Sequence, residues 1–203
     1  MANLALFCSG QGSNARKIVE YFQLDNTIHP AFLVVNKANA GALAIGAEYN
    51  IPSLVIDRDL FYNQPAQMLL ELKEKKIDFI ILAGFLWLVP TYLVKAFERR
   101  ILNIHPAKLP KYGGKNMYGM RVHEAVKANG EKTTGLTIHL VNNEYDQGKV
   151  LFQCTCSVEP DETAEQIAAK VLRLEHRFYA PIISSYIKTN QDDLVSPTFV
   201  IST

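Results

Sequence analysis

The sequence predicts an α/β protein with a Rossmann-like, mostly parallel sheet, helices on both faces of that sheet, and antiparallel strands in the C-terminal half. Three observations lead to this fold class. Continuous apolar runs alternate with helical patterns through the first half of the chain, which is typical of parallel strands covered on both faces. Two apolar runs in the second half are joined by a short polar loop, which favours an antiparallel pair. The chain has 203 residues, enough for one domain with a full hydrophobic core.

The first half contains apolar runs of strand length that are separated by helical patterns. We predict strands over 4–8, 31–35, 53–56, 79–83 and 101–105. The intervening segments predict helices that begin near Ser13 and that cover 42–49, 66–75 and 92–99. This alternation is the pattern of successive βαβ units.

The second half changes character after a stretch rich in Pro and Gly, 106–119. A helix is expected over 122–129, and strands are expected over 135–141 and 150–156. A long helix follows, because Thr163 and Gln166 have the spacing of a capping box and an apolar stripe comes after them. We predict one domain over 1–190 and a polar C-terminal tail over 191–203.

Composition narrows the classes of partner and compartment. Lys and Arg number 21 against 20 Asp and Glu, so no global basic field supports a nucleic-acid partner. No apolar run approaches the length of a membrane span, and the N-terminus lacks the basic region of a signal peptide. Three cysteines are too few for a disulfide scaffold and indicate a reducing compartment. We therefore expect a cytoplasmic protein with small-molecule substrates, present as a monomer or homodimer.

The turn after the first predicted strand is the first candidate site. Its residues, Ser-Gly-Gln-Gly-Ser-Asn over 9–14, connect a strand to a helix. Glycines in such a turn let backbone N–H groups approach a phosphate, and a helix N-terminus favours an anion. The motif lacks the third glycine of a dinucleotide fingerprint and the Lys of a P-loop. A plain tight turn with Ser13 as the N-cap is the equally weighted alternative.

The end of the fifth predicted strand is the second candidate site. Asn103 and His105 are two residues apart, so their side chains leave the same face of the strand. Ligands of open parallel sheets bind at the carboxyl ends of the strands. An amide beside an imidazole can stabilise an oxyanion, and the imidazole can move a proton. A strand-end histidine bonded only to backbone is the alternative.

Other chemistry-bearing residues have a plain local interpretation. Asp146 lies in an Asn- and Gly-containing stretch that by itself predicts a solvated turn. Cys154 and Cys156 alternate along a strand without a second pair of matching spacing, so no metal site is expected. Trp87 lies in an apolar run that lines either a pocket or the core.

The motifs together resemble the folate-dependent formyltransferases. The similarity begins with Asn-Ile-His-Pro over 103–106 followed by Leu-Pro-Lys-Tyr over 109–112 and Gly114. It extends to 9–14, to Leu-Ala-Gly-Phe-Leu over 82–86, to Thr-Ile-His over 137–139 with Asp146 following, and to Glu-His over 175–176. In this order the motifs cover the chain from Leu4 to about Tyr186 and are most similar to members that formylate glycinamide ribonucleotide.

The resemblance implies a function and a set of site residues. It implies that 10-formyltetrahydrofolate is the co-substrate, that glycinamide ribonucleotide accepts the formyl group for purine synthesis, and that no metal takes part. The implied catalytic residues are Asn103, His105 and Asp146, with Asp146 favouring the protonated form of His105. The implied ribonucleotide-binding residues are Gly12, Ser13, Asn14 and Glu175. The implied folate-binding residues are Leu86, Trp87, Leu88, Val89, Val141 and Asn142.

Two departures from the family pattern concern the substrates. The segment 115–119 lengthens the loop after the signature, and Trp87 stands where the family often has an Arg. A second family Arg, upstream of this position, contacts folate and has no clear counterpart near Phe61 or Tyr62. A sugar-nucleotide N-formyltransferase and a non-catalytic phosphometabolite-binding module remain as alternatives. A methionyl-tRNA formyltransferase would need a basic RNA-binding domain, and a deformylase would carry an N-terminal regulatory domain.

Overall fold

The computed structural model describes residues 1–189 and 198–200. The described residues form two compact units, and the second unit begins at Ile104. The predicted single domain over 1–190 stays a prediction. The first unit contains, in chain order, β1 Ala2–Cys8, α1 Ser13–Phe22, β2 Ile28–Val35, α2 Leu43–Glu48, β3 Ser53–Val55, α3 Arg58–Asn63, α4 Pro65–Glu74, β4 Phe79–Leu82, α5 Thr91–Ala96 and most of β5 Ile101–His105. The second contains α6 Met120–Ala128, β6 Thr133–Leu140, β7 Val150–Ser157, α7 Ala164–Lys188 and β8 Thr198–Val200.

The first unit is built on parallel strands in the order β3-β2-β1-β4-β5. The central strand β1 is fully buried from Leu4 to Cys8, because an inner parallel strand is covered by side chains on both faces. Parallel pairing also aligns the carboxyl ends of β1 and β4 at one edge. At that edge the N–H of Ser9 donates to the carbonyl of Gly84 at 3.1 Å.

The second unit contains the antiparallel pair β6–β7, whose register runs from Thr133 opposite Ser157 to His139 opposite Val150. The register shifts between Ile138 and His139, which marks a bulge at the end of β6. The predicted capping box is confirmed at the start of α7, where Thr163 and Gln166 satisfy each other's backbone N–H groups. The predicted fold class is therefore confirmed, with a parallel sheet first and antiparallel strands in the C-terminal half.

Two elements were not predicted. Helix α3 follows β3, and its N-cap Asp57 accepts a hydrogen bond from the N–H of Leu60 at 2.8 Å. Strand β8 pairs parallel with β7 inside the segment predicted as a tail; the remainder of that segment, 191–197 and 201–203, lies outside the described residues. In the part of the chain that is described, no helix has both the length and the apolar character that a bilayer span requires.

Candidate active site

The turn between β1 and α1 depends on Gly12. This residue is the N-cap of α1 and has φ 77°, in the left-handed region. A Cβ at this position would lie 2.7 Å from the Cβ of Ala42, so both the backbone angle and the packing require glycine. The glycine lets the backbone turn directly from the sheet edge into the first turn of the helix.

The start of α1 is suited to an anion. Gly12 has no side chain to cap the helix, none of the described residues makes a side-chain cap bond there, and the first turn carries no acidic residue. The alternative in which Ser13 caps the helix is wrong, because Ser13 is already the first helical residue. Its side chain is exposed, whereas Asn14 is buried. The positive end of the helix dipole is therefore available beside Ser13.

The turn is joined to the segment that follows β4. The buried hydroxyl of Ser9 accepts a hydrogen bond from the N–H of Leu86 at 2.9 Å. Gly84, with φ 74°, turns the chain before Leu86. The predicted phosphate turn and the predicted folate segment are thus fixed to each other at the carboxyl edge of two neighbouring strands.

The predicted folate segment packs on an aromatic cluster. Trp87 is half-buried, and its ring centroid lies 5.7 Å from that of Phe61 and 6.1 Å from that of Phe85. The carbonyl of Leu88 accepts a hydrogen bond from the Tyr62 hydroxyl at 3.1 Å. These contacts fix the predicted folate segment against the aromatic cluster.

Arg58 is a candidate site residue that the sequence did not reveal. Its guanidinium lies over the Trp87 ring, 5.0 Å from the centroid. Such stacking orients the charge while leaving its N–H groups free to bind an anion. The sequence showed no clear counterpart of the upstream family Arg near Phe61 or Tyr62, and Arg58 is a candidate for it, three residues before Phe61 in the unpredicted helix α3. The N-cap Asp57 was the local signal that could have located this helix.

His105 ends β5 with its imidazole almost fully buried. Its Nε2 lies 2.7 Å from the carbonyl oxygen of Tyr112, and its Nδ1 lies 3.5 Å from Oδ2 of Asp146. A carbonyl can only accept, so Nε2 carries a proton. The other nitrogen faces the carboxylate, which gives the ring a fixed orientation.

Asp146 reaches His105 from the loop between β6 and β7. Its backbone is left-handed, with φ 57°, which is uncommon for a residue other than glycine. Its Oδ2 accepts the N–H of Gly114 at 2.9 Å, and its Oδ1 lies 3.6 Å from Nε2 of His139. The carboxylate is only 10% exposed. The local interpretation as a solvated turn is therefore incomplete, because the turn directs this side chain inward.

The net pKa shift of His105 is opposite to the direction expected from its carboxylate partner. Burial lowers the pKa of His105, and it outweighs the opposing effects of the Asp146 charge and the Tyr112 carbonyl. The carboxylate does favour the protonated ring as expected, but the net direction is downward. Burial raises the pKa of Asp146. The hydrogen bond from His139 and the charge of His105 lower it by more than burial raises it, so the net pKa lies below the ordinary value of an Asp. In the resting protein the Asp146 carboxylate thus lies beside the His105 ring, and burial opposes protonation of that ring.

A second buried imidazole, His123 on α6, belongs to the same electrostatic environment. Burial lowers its pKa to about 4, and the charge of His105 lowers it as well. Its Nδ1 has no hydrogen-bond partner within the described residues. This histidine is therefore held neutral near the candidate catalytic residue.

The remaining predicted residues occupy separate places. Asn103 lies two residues before His105 on β5 and is half-buried. Glu175 is a buried residue of α7. Val141 and Asn142 begin the loop that carries Asp146, and the Asn142 side chain accepts the N–H of Glu144 at 3.0 Å. The contacts described above unite His105, His139 and Asp146.

Comparison with known families gives one clear match. The family model described as formyl transferase matches residues 2–183. A phosphoribosylglycinamide formyltransferase of Bacillus subtilis is 31% identical over 194 residues, covering 94% of this chain and 97% of the relative. The chloroplastic phosphoribosylglycinamide formyltransferase of Arabidopsis thaliana is 41% identical over 188 residues, covering 90% of this chain. The chain spans 64% of that plant relative and 60% of a second one from Vigna unguiculata.

Solved structures agree in fold. The crystal structure of phosphoribosylglycinamide formyltransferase from Anaplasma phagocytophilum aligns with a TM-score of 0.85 at 27% identity. The alignment covers 100% of this chain and 99% of the other.

Proposed function

The chain belongs to the formyl transferase family, and from that premise we propose that it transfers the formyl group of 10-formyltetrahydrofolate to the amine of phosphoribosylglycinamide, a step of purine synthesis. The observation that carries the proposal is the buried contact of His105 with Asp146 directly behind the strand-end signature. The names of the curated relatives support the choice of substrate. A binding module without catalysis would have no need of a carboxylate directed inward against a buried imidazole.

The chemistry proceeds by direct attack. The amine nitrogen forms a bond to the formyl carbon, and the carbonyl electrons move to oxygen as a tetrahedral oxyanion. The Asn103 amide and the His105 ring donate hydrogen bonds to that oxygen, where negative charge develops. Collapse of the intermediate breaks the bond to the folate nitrogen, which takes up the proton that the amine loses. Protein residues thus orient the reactants, stabilise charge and move a proton, without forming a covalent bond to substrate.

The burial of His105 defines its part in this sequence. Because its pKa is lowered, the ring is neutral at rest near neutral pH. It becomes cationic by accepting the proton that the attacking amine loses, and it later gives this proton to the folate nitrogen as the intermediate collapses. Asp146 then stabilises the cation across the Nδ1 contact. Both ring nitrogens are engaged in the structure, so one of these contacts opens when the substrate oxygen arrives. The rate should therefore fall at low pH, where the resting ring becomes protonated.

The ribonucleotide is bound through its phosphate at the start of α1. Backbone N–H groups of Gly12, Ser13 and Asn14 are the proposed donors, since a helix N-terminus with no acidic residue favours an anion. Glu175 on α7 is the proposed contact for a donor group of the same substrate.

The folate is bound along Leu86–Val89 and by the loop that begins with Val141 and Asn142. Backbone groups of the first segment contact the pterin, and the Trp87 ring flanks the pocket. Arg58, held over Trp87, supplies a positive charge for the carboxylates of the folate tail.

A panel of acceptors tests the proposed function. Purified protein is incubated with 10-formyltetrahydrofolate and with phosphoribosylglycinamide, an amino-sugar nucleotide, or no acceptor, and the absorbance of the released folate is followed. We expect release only with phosphoribosylglycinamide, and at least a 100-fold slower rate for His105→Ala. Release with the sugar nucleotide would favour the alternative transferase, and binding of both substrates without turnover would favour a binding module. A cytoplasmic location stays a prediction, since the plant relatives are named as chloroplastic.

A further inference from the structure

Tyr112 connects the His105 ring to a hydrogen-bond network that lies outside the candidate active site. Its carbonyl oxygen lies 2.7 Å from Nε2 of His105. At the other end of the same residue, the phenol hydroxyl donates to Oε1 of Glu131 at 3.0 Å and accepts from Nδ2 of Asn129 at 3.0 Å. One residue thus joins the imidazole to two side chains that have no part in the proposed mechanism.

The backbone of Tyr112 has an unfavourable conformation. Its φ is 58°, in the left-handed region, where the Cβ of an ordinary residue is crowded by the backbone. Residues keep such a conformation only where the surrounding contacts impose it. Two glycines follow, and the N–H of Gly114 donates to Oδ2 of Asp146 at 2.9 Å. The turn over 112–114 therefore contacts both His105 and Asp146, and the contacts that hold Tyr112 also set the geometry of that pair.

The hydroxyl bonds restrain the Tyr112 ring where packing does not. The ring is half-buried, and it borders a cavity of about 260 Å³ that is also lined by Lys108 and Gln153. The acceptor of the hydroxyl is a charged group, since the hydrogen bonds from Lys111 and Tyr112 hold the pKa of Glu131 below its usual value. A hydrogen bond to a carboxylate is roughly twice as strong as one between neutral groups.

The two anchors of the hydroxyl are fixed to the end of helix α6. Asn129 is the C-cap of that helix, and its N–H donates to the carbonyl of Ala125 at 3.0 Å. The N–H of Glu131 donates to the carbonyl of Val126 at 3.3 Å. The network thus attaches Tyr112 to a neighbouring element, so its position does not depend on the turn alone.

The Tyr112 carbonyl competes with Asp146 for the one proton of the neutral His105 ring. Burial lowers the pKa of His105, so the ring is neutral near neutral pH and carries a single N–H. Nε2 is 2.7 Å from the carbonyl, whereas Nδ1 is 3.5 Å from the carboxylate, so the shorter contact keeps the proton on Nε2. If the carbonyl moved away, the carboxylate would draw the proton to Nδ1, because a hydrogen bond to a charged acceptor is the stronger one.

We propose that Tyr112 is a positioning residue whose hydroxyl, bound to Glu131 and Asn129, holds its carbonyl against His105 and so keeps the ring in the tautomer that is protonated on Nε2. Nδ1 faces Asp146, so Nε2 is the nitrogen that can donate to the oxyanion when the Tyr112 contact opens. This catalytic consequence rests on the proposed function, whereas the choice of tautomer does not.

Three substitutions test the network. Tyr112→Phe keeps the ring and removes the hydroxyl. Glu131→Gln leaves a neutral acceptor in place of the charged one, so its effect should have the same direction and be smaller. Tyr49→Phe is the matched control, because Tyr49 is a half-buried tyrosine beside the Arg16–Glu48 ion pair of the first unit.

The first measurement is the tautomer ratio of His105 at pH 7 without substrate, taken from the ¹⁵N chemical shifts of the ring. Tyr112→Phe should raise the ratio of the Nδ1–H form to the Nε2–H form roughly fivefold, the factor that corresponds to one hydrogen bond. Tyr49→Phe should match wild type. An unchanged ratio in folded Tyr112→Phe would overturn the proposal, as would an equal shift in Tyr49→Phe. If Tyr112→Phe does not fold, an unchanged ratio in Glu131→Gln overturns it.

The second measurement is kcat and both KM values at pH 7. In Tyr112→Phe, kcat should fall by the same factor as the population of the Nε2–H form, with little change in either KM. A fall in kcat without a change of tautomer would mean that Tyr112 only supports the fold, and would also contradict the proposal. Absence of transfer and of substrate binding in wild type would refute the proposed function and leave the tautomer result intact.

Discussion

The free energy of unfolding at acid pH should depend on the buried side chain of His123. The side chain is 5% exposed, and its pKa is lowered from 6.5 to about 4. The unfolded chain therefore binds a proton at a higher pH than the folded chain does, so stability is lost as the pH falls from about 6.5 towards 4. At pH 4.5 the loss from this group is about 2 to 3 kcal/mol, since each pKa unit corresponds to about 1.4 kcal/mol. His123→Phe removes the ionisable group and should remove this loss.

The assay is urea unfolding at pH 7 and at pH 4.5, followed by the fluorescence of the single Trp, Trp87. The quantity compared is the drop in unfolding free energy between the two pH values, so that any overpacking by the larger ring cancels. The drop should be about 2 to 3 kcal/mol smaller in His123→Phe than in wild type. His29→Phe, at an exposed histidine of β2, is the control and should behave as wild type. Equal drops in His123→Phe and wild type would refute the reasoning, because a charged His123 would then be accommodated in the fold.

Three further predictions concern the proposed site. Asp146→Asn keeps the size of the side chain and removes its charge, so kcat should fall about 100-fold while the KM values change far less. The double variant with His105→Ala is measured as well: if its loss of kcat is the product of the two single losses, the two residues act independently. Ser13→Asp puts a negative charge at the start of α1 and should raise the KM for the ribonucleotide roughly tenfold by repulsion, whereas Ser13→Asn should change it little; an equal effect of both would point to crowding. The emission of Trp87 should change when a folate analogue binds, and calorimetric binding with constant emission would remove Trp87 from the pocket.

The strands of the first unit were predictable because their signal is local. β5 was predicted and found at 101–105, and the other runs shifted by only a few residues at their ends. Continuous burial of β1 requires an unbroken apolar run. The capping box of α7 was predictable for the same reason, since Thr163 and Gln166 satisfy each other within one turn.

Elements that depend on tertiary contacts were missed. Helix α3 has six residues, and only its N-cap Asp57 marked its start. The stacking of Arg58 on Trp87 joins residues that are far apart in the chain. Strand β8 has three residues and is defined by its pairing with β7 more than by its own sequence.

The charge state of His105 shows why a motif alone does not specify a mechanism. The sequence suggested that a carboxylate partner would favour the protonated ring, and Asp146 does act in that direction. Burial acts against it and has the larger effect, because desolvation penalises a cation wherever the fold excludes water. Burial depends on the packing of the whole chain around β5 and cannot be read from three residues. In the proposed mechanism, the role of Asp146 is therefore to limit how far burial lowers the pKa of His105, so that a ring that is neutral at rest can still become a cation when an oxyanion forms beside it.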